Sequence, residues 1–200
     1  MNHRGNRHGR SEEARRNVLH AADDLLAEKG FAALTIEGIA ARAGVAKQTI
    51  YRWWPSKTDV LLEAFTEDAA EDLTPPDTGS LAGDLRAYLL LLAAYLTESD
   101  AGAVFRALNG QAQHDPALAA RLREEHLTRQ RARDRAPLER AVARGELPAD
   151  ADLDVLVDRL VGPIYYRVLV TGQAVGEEFV DELVRACTSA ARAEEPDRIG

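Results

Sequence analysis

The sequence predicts an all-α protein of about nine helices. Apolar residues recur at helical spacing along nearly the whole chain, strand-like alternation is almost absent, and residues that start or stop helices bound each apolar stripe. The 200 residues are 46% hydrophobic and 29% charged, which is ordinary for a globular chain able to bury a core. A Pro/Gly-rich break, TPPDTGS at 74–80, is the best internal boundary.

The first two predicted helices are bounded by capping residues. Ser11, followed by two glutamates, is an N-cap for the first helix, and Gly30 is its stop signal. Thr35 caps a short second helix, which Gly44 ends by allowing a left-handed turn. Apolar residues between these signals recur at helical spacing, so each helix has one face to bury.

The third and fourth predicted helices meet at a proline. The third begins near Ala46 and ends by Trp54, because Pro55 disfavours helical geometry in the residue before it. Ser56 then starts the fourth helix, with Asp59 three residues on in a pairing that resembles a capping box.

The second half of the chain predicts five more helices. The first of them is broadly apolar, which indicates burial of much of its surface. Asp115 and Pro116 read as the N-cap and first residue of the third. Pro137 is expected to kink that helix, and Pro163 to interrupt the backbone bonding of the next one. The predicted ranges are 81–97, 101–113, 116–144, 153–171 and 176–191.

Charge is distributed unevenly along the chain. Residues 1–60 contain ten Lys and Arg against seven Asp and Glu, while the rest contains fifteen against twenty-six. A basic end on an acidic body predicts that the first 60 residues bind a polyanion and that the remainder has another task.

The composition also indicates a compartment. The single cysteine, Cys187, excludes an intramolecular disulfide and fits a reducing environment. The longest apolar run, 88–96, is far shorter than the ~20 residues of a membrane span. No apolar segment follows the N-terminal charges, as a secretory signal would require. We therefore expect a cytoplasmic protein without a membrane partner.

Residues 35–57, TIEGIAARAGVAKQTIYRWWPSK, read as a helix-turn-helix with Gly44 at the tight turn. If Ile50 lies at the buried centre of the second helix, Ala46 and Trp54 lie near the same inner line. The residues that then face outward or flank the outer face are Gln48, Arg52, Thr49, Tyr51, Lys47 and Trp53.

The outward side chains match the chemistry of a DNA major groove. Gln can read adenine, Arg or Lys can read guanine, and a Thr methyl group can contact thymine. Tyr51 and Lys57 can hydrogen-bond phosphates, and Thr35 heads a helix whose N-terminal amides suit an anion. The adjacent tryptophans point about 100° apart on a helix, so we expect Trp54 to anchor the core and Trp53 to reach a phosphate. The alternative is a small helical subdomain with a solvated polar face.

Residues 11–65 resemble the DNA-binding domain of the TetR family of transcriptional repressors. The stretch FAALTIEGIAARAGVAKQTIYRWWPSKTDVLLEAF, at 31–65, is similar to the family pattern almost position by position. The resemblance implies a helix-turn-helix domain followed by a helical bundle that binds a ligand and dimerises. It also implies a homodimer that binds an inverted-repeat operator in double-stranded DNA and is released by a small organic effector.

The resemblance also assigns contacts. It places Lys47, Gln48, Thr49 and Arg52 against bases, and Thr35, Tyr51, Trp53 and Lys57 against phosphates. Glu37 departs from the family pattern, because some members carry a basic residue there that touches DNA. Phosphate would repel an acidic side chain, so we expect no DNA contact from Glu37.

Three domains follow from these patterns: a disordered basic arm at 1–10, a helix-turn-helix domain at 11–57, and a ligand-binding and dimerisation domain at 58–195. Arg4, Arg7 and Arg10 in the arm either enter a minor groove, as in some family members, or belong to a plain disordered tail.

The effector pocket is expected among the helices at 81–97, 101–113 and 116–144. An apolar pocket with a few polar groups suits a small organic molecule. The candidate lining residues are Tyr88, Tyr95, Phe105, Arg106, Asn109, Gln113 and His114. For each of them a purely structural role is the competing interpretation.

The last two helices are expected to pair with their copies in a dimer, or else to complete the core of a single chain. The candidate interface residues are Leu160, Ile164, Tyr165, Val168, Phe179 and Leu183. His114, Asp115 and His126 match no metal-ligand spacing, so no metal is expected.

Two other functional classes compete with the sensor. A helical enzyme is disfavoured, because the sequence has no nucleophile elbow, dinucleotide fingerprint, P-loop or zinc-protease motif. We expect neither catalysis nor a cofactor. A DNA-binding regulator or architectural factor without a small-molecule effector stays the alternative.

Overall fold

The computed structural model describes the backbone of residues 5–193 and the side chains of residues 11–69 and 72–189. Within residues 5–193 every regular element is a helix, which confirms the predicted all-α class. The α-helices are α1 (Gly5–Ala33), α2 (Ile36–Ala43), α3 (Lys47–Tyr51), α4 (Lys57–Asp72), α5 (Leu81–Glu98), α6 (Asp100–Ala112), α7 (Pro116–Arg121), α8 (Thr128–Ala143), α9 (Leu153–Tyr166) and α10 (Glu177–Ala193). A π-helical segment, Leu122–Leu127, joins α7 to α8, and counting that run as one helix gives nine helices over the described backbone.

The predicted start of α1 at Ser11 is wrong, because the helix already begins at Gly5. Its predicted stop is confirmed: Gly30 adopts φ 73° and ψ 168°, which breaks the helix and leaves a short turn up to Ala33. The side chains of Arg4, Arg7 and Arg10 lie outside the described residues.

The long helix beginning at Pro116 is irregular at a place that the sequence did not predict. Pro137 lies within α8, and the helix continues beyond it to Ala143. The wider, π-helical hydrogen-bonding pattern instead occurs at Leu122–Leu127. Upstream of it, Asp115 caps the first turn of α7 as expected. A second π-helical segment, Arg167–Thr171, follows α9 shortly after Pro163.

The chain forms two compact units. Over the described backbone, the first contains residues 5–69 and 98–122, and the second contains residues 70–97 and 123–193. Helices α6 and α7 therefore belong with the helix-turn-helix segment in one unit, although the sequence division at 57/58 assigns them to the second half. In the first unit the rings of Phe65 and Phe105 lie 5.4 Å apart in a tilted contact.

The second unit contains α5, α8, α9 and α10, and the apolar stripe of α5 is buried. Asp84 in α5 is completely buried, and its carboxylate accepts hydrogen bonds from the backbone and hydroxyl of Thr78 at 2.6 and 2.8 Å. The guanidinium groups of Arg144 and Arg140 donate to its other oxygen at 3.1 and 3.3 Å. Burial alone would raise the pKa of Asp84, but these bonds together hold it below its usual range.

Over the described part of the chain, no single helix combines the length and apolar character needed to cross a membrane. Only α5 and α6 taken together, with a bend between them, meet that criterion.

Candidate nucleic-acid interface

The two short helices α2 and α3 form the predicted helix-turn-helix. The Thr35 hydroxyl accepts a 3.0 Å hydrogen bond from the backbone N–H of Gly38, which confirms the cap of α2. Gly44 ends α2 in the left-handed region at φ 68°, and its N–H bonds to the carbonyl of Ala40. The turn therefore sets the direction of α3 through backbone bonds.

α3 is anchored by two buried side chains four residues apart. Ile50 is fully buried and Trp54 is 2% exposed, so the predicted inner line holds at both positions. The expectation for Ala46 is wrong, because Ala46 is exposed. Ala46 is the N-cap of α3 and has an extended backbone at ψ 145°, so the helical wheel does not reach it.

The opposite face of α3 is open to solvent. Gln48 and Arg52 are exposed, as the helical spacing predicted, and the Tyr51 side chain is 52% exposed. Thr49 is half-buried beside them. The structure thus brings four of the predicted DNA-contacting residues to one surface, which we call the α3 outer face.

Lys47, at the first position of α3, is held by an acidic partner from α2. Its ammonium donates a 2.6 Å hydrogen bond to Glu37 Oε1, and both side chains are exposed. The hydrogen bond to Lys47 lowers the pKa of Glu37, and the same bond raises the pKa of Lys47. Glu37, which we had excluded from the DNA surface, therefore lies beside a predicted base-contacting residue and neutralises its charge.

Lys57 plays a structural role that its sequence position did not reveal. Its ammonium donates to the backbone carbonyls of Phe31 and Leu34 at 2.7 and 2.9 Å, and it lies 4.3 Å from the centre of the Phe31 ring. These bonds satisfy carbonyls at the end of α1. Because an ammonium has three donors, one remains for a phosphate contact, which stays a prediction.

The two adjacent tryptophans occupy different environments. The indole N–H of Trp54 donates a 2.8 Å hydrogen bond to Glu63 of α4, so this ring ties α3 to the next helix. Trp53 is half-buried and packs edge-to-face on Trp54, with ring centres 5.3 Å apart and planes at 74°. Trp53 therefore has both a packing contact and open surface, whereas Trp54 belongs to the core.

The predicted effector-contacting residues are divided between the two units. Tyr88 and Tyr95 are buried in the second unit, whereas Phe105, Arg106, Asn109, Gln113 and His114 belong to the first. The Asn109 amide donates to the carbonyl of Phe105 at 2.9 Å. No group of three or more described His, Cys, Asp or Glu side chains is placed to hold a metal ion.

The structure divides the predicted dimer-interface residues between core and surface. Leu160 and Ile164 are 3% and 0% exposed within the single chain, so they lie in the core of the second unit. Tyr165, Val168, Phe179 and Leu183 are half-buried. The Arg167 guanidinium lies over the Phe179 ring, 3.5 Å from the ring centre, in a cation–π contact. The apolar side chains that remain open in this region are Val155, Tyr166, Leu169 and Val170.

The second unit contains a cavity of about 230 Å³ that sequence reasoning missed. It lies between α8 and α9, and its wall includes the buried Asp134 and the ring of Tyr165. In the sequence Asp134 sits in the charged stretch TRQRARDRAP, which reads as a solvated helix face. One sequence-based prediction did point to this region: Tyr88 was predicted to contact an effector. In the structure its hydroxyl donates a hydrogen bond to Asp134.

Comparison with known proteins agrees with this architecture. The chain matches the family model described as bacterial regulatory proteins, tetR family, over residues 18–64. It also matches the tetracyclin repressor-like C-terminal domain over residues 75–187.

Three relatives match most of the chain. An uncharacterized HTH-type transcriptional regulator YdeS from Bacillus subtilis is 40% identical over 175 residues, covering 88% of each chain. A DNA-binding transcriptional repressor TetR from Mycobacteroides abscessus is 30% identical and covers 88% of this chain and 92% of its own. The crystal structure of the TetR family transcription regulator SCO0332 superposes with a TM-score of 0.77 at 37% identity, covering 88% of this chain and 97% of that one.

The exposed α3 outer face on a buried anchor, the matching family models and these relatives lead to one conclusion. The chain belongs to the TetR family and is a DNA-binding transcriptional regulator rather than an enzyme.

Proposed function

We propose that this protein is a repressor that binds an inverted-repeat operator as a homodimer and is released by a small organic effector. The α3 outer face carries the proposal. Gln48 and Arg52 are exposed on a helix whose opposite side is fixed by Ile50 and Trp54. A rigid helix with free amide and guanidinium groups can read adenine and guanine edges in a major groove.

Several residues around this face supply the phosphate contacts of the proposal. Tyr51 is exposed at the end of α3, Trp53 is partly open, and Lys57 keeps one free donor. The N-terminal amides of α2 follow Thr35. Contacts of this kind fix the register of a protein on DNA, while the base contacts supply the sequence preference.

The partner in the proposed dimer is a second copy of this chain. Operator symmetry requires two reading helices, about 34–36 Å apart for half-sites one DNA turn apart. The open apolar side chains Val155, Tyr166, Leu169 and Val170 support α9 and the π-helical segment after it as the contact surface. Leu160 and Ile164 take no part in this revised surface, because they are already buried.

Effector control is proposed as a shift between two conformations of the dimer. A ligand that binds the second unit better in a conformation with different helix spacing would lower operator occupancy. The shift is limited by its difference in affinity for the two states. α4 begins in the first unit and ends in the second, so it is the element through which we expect the shift to pass. Such a regulator acts in the cytoplasm, where its DNA lies.

Selection of bound DNA from a random pool tests the proposal directly. We expect a two-fold symmetric motif, because each protomer presents one α3. Arg52→Ala should then change the preferred base at one position in each half-site. Failure to enrich any motif would refute sequence-specific binding, and an asymmetric single half-site would refute the dimer. If a motif is enriched but no compound releases the DNA, the protein is a DNA-binding regulator without a small-molecule effector.

A further inference from the structure

The wall of the cavity between α8 and α9 contains two acidic groups, Asp134 and Asp158, beside apolar surface. Leu127, Val161 and Gly162 supply apolar surface, and the ring of Tyr165 lies beside them. Asp134 is only 5% exposed, yet it lines the cavity. A carboxylate that is nineteen-twentieths buried is rare without a full set of partners.

A hydrogen-bond network fixes one oxygen of that carboxylate. The Tyr88 hydroxyl donates to Asp134 Oδ1 at 2.5 Å, and the Gln130 amide donates to the same oxygen at 2.9 Å. The same amide nitrogen donates to the Tyr88 oxygen at 2.8 Å. The Arg133 guanidinium donates to Gln130 Oε1 at 3.1 Å. Because a guanidinium only donates, the atom facing Arg133 must be the amide oxygen, and the amide nitrogen therefore faces Asp134.

The second oxygen of Asp134 is left for the cavity. Both hydrogen bonds to the carboxylate end on Oδ1, and no donor among the described residues reaches Oδ2. Since Asp134 belongs to the cavity wall, this oxygen is an acceptor available to a molecule inside.

The other charges of the wall favour a positive occupant. Arg131 also lines the cavity, but its guanidinium donates to Asp158 at 2.7 Å and to Asp154 at 3.1 Å. An anion would have to displace these carboxylates and approach Asp134. A cation instead meets the Asp134 carboxylate, which the bonds from Tyr88 and Gln130 hold in position.

We propose that this cavity is the effector site of the regulator and binds a small organic cation, an amine attached to one ring, with Asp134 as its counter-ion. The inference rests on the proposed effector function and names its ligand class and site. An ammonium group donates to Asp134 Oδ2, and the ring lies against Val161, Gly162 and Tyr165. The volume fits this size, because 230 Å³ exceeds the about 150 Å³ of a cavity that holds benzene.

The electrostatics of Asp134 agree with this assignment. Burial raises the pKa of its carboxyl, although the bonds from Tyr88 and Gln130 and the nearby Arg133 and Arg131 act in the opposite direction. The surroundings of Asp134 therefore favour its neutral form over the charged carboxylate. A bound ammonium supplies the missing charge, which is a source of affinity that a neutral molecule lacks.

Calorimetric titration of the full chain with three matched probes tests the site. The probes are 2-phenylethylamine, 2-phenylethanol and 3-phenylpropanoate, which share a ring and a two-carbon spacer and differ in charge. We expect the amine to bind once per chain, the alcohol at least about tenfold more weakly, and the carboxylate not at all. Equal binding of amine and alcohol, or no binding by the amine and its homologues benzylamine and 3-phenylpropylamine, would overturn the proposal.

Two variants locate the binding. Asp134→Asn keeps the shape and should remove the preference for the amine over the alcohol. Gly162→Leu should block both, because a Cβ at Gly162 meets nothing within 4 Å and the added side chain occupies the open space. Asp150→Asn is the control, since it makes the same charge change at an exposed loop position. If Asp134→Asn fails to fold, Gly162→Leu decides alone, and unchanged amine binding in it contradicts the site.

The titration and operator release are measured separately so that the two proposals fail separately. If the amine binds but fluorescence anisotropy shows DNA still bound, the cation site stands and effector release fails. If another compound releases the DNA while no amine binds and Gly162→Leu changes nothing, release stands and this site is refuted.

Discussion

The Lys47 ammonium and the Glu37 carboxylate form a 2.6 Å ion pair that joins the first turn of α3 to the first turn of α2. The pair lies beside the α3 outer face, where Lys47 was expected to contact bases. The Glu37 carboxylate restricts the directions in which the Lys47 ammonium can point. In the proposed DNA complex it would also place a negative charge close to the phosphates.

We therefore expect Glu37→Ala to change DNA recognition rather than folding. The freed Lys47 should select bases less strictly at one operator position, and affinity for random-sequence DNA should rise because a negative charge is lost. The thermal midpoint should hardly change, since exposed ion pairs contribute little. Selection of bound DNA from a random pool measures the base preference at each operator position. Binding to random-sequence DNA at several salt concentrations measures the change in nonspecific affinity.

Glu28→Ala is the matched control for Glu37→Ala. Glu28 accepts a 2.7 Å hydrogen bond from Arg42 in the last turn of α2. The substitution therefore removes an exposed ion pair at the other end of that helix. Unchanged base preference in both variants would contradict a role for Glu37.

Lys57→Ala and Arg52→Ala should separate structural from reading functions. Lys57→Ala removes two charge-assisted bonds to the carbonyls of Phe31 and Leu34, so we expect a loss of about 2 kcal/mol in the free energy of unfolding. Arg52 is exposed, and its loss should leave stability unchanged while reducing discrimination at one base pair by ~1–3 kcal/mol. Urea unfolding and competitive DNA binding measure the two quantities. Equal stability losses would contradict the different placement of the two residues.

The tryptophan pair predicts opposite outcomes for neighbouring substitutions. Trp54→Ala empties a buried site and leaves Glu63 without the indole donor, so we expect a loss of about 3–5 kcal/mol in unfolding free energy. Trp53→Ala removes one edge-to-face contact and should cost about 1 kcal/mol, with a larger effect on DNA affinity. Trp53→Phe, which keeps the ring contact but lacks the N–H, tests whether the indole donates to a phosphate. Unimpaired binding by Trp53→Phe would contradict that contact.

Asp23 predicts a pH-dependent stability. Burial raises its pKa to about 8, and the charges of Asp68, Asp24 and Asp100 add to the effect. Between about pH 4 and pH 8 the folded chain therefore binds a proton that the unfolded chain releases. The contribution of Asp23 to stability is accordingly largest below pH 4 and falls as the pH rises to 8.

Asp23→Asn should remove this dependence. We expect the variant to become more stable than the parent by up to about 1.4 kcal/mol for each pH unit between pH 4 and pH 8, with the difference vanishing near pH 4. Denaturant titrations across this range measure it. Asp150→Asn, at an exposed loop position, is the control, and a pH-independent difference for Asp23→Asn would refute the assignment.

Tyr166 predicts the location of the dimer contact. Its side chain is 58% exposed on α9, so Tyr166→Glu should dissociate the dimer without unfolding the chain. Sedimentation measures the mass, and circular dichroism measures the fold. Ala149→Glu adds the same charge at an exposed loop position and should stay dimeric. A dimer that survives Tyr166→Glu would move the interface away from this face.

Local sequence signals predicted the first unit well where backbone chemistry decides the outcome. Thr35 must cap α2, Gly44 must turn left-handed, and Pro55 must end the segment after α3, because each signal acts on its own few residues. The period of 3.6 residues then placed Ile50 inside and Arg52 outside. The failure at Ala46 marks the limit of this argument, because the wheel applies only inside the helix.

The tertiary structure decided the pairings between distant residues. The Lys47–Glu37 pair, the two carbonyl bonds of Lys57 and the Tyr88–Asp134 bond join positions 10 to 46 residues apart. Periodicity assigns each residue to a face of its own helix, but it does not say which faces meet. The sequence by itself therefore determined a helical, DNA-reading regulator of known family. Only the packing of helices decided which charges are neutralised and where a buried carboxylate lines a cavity.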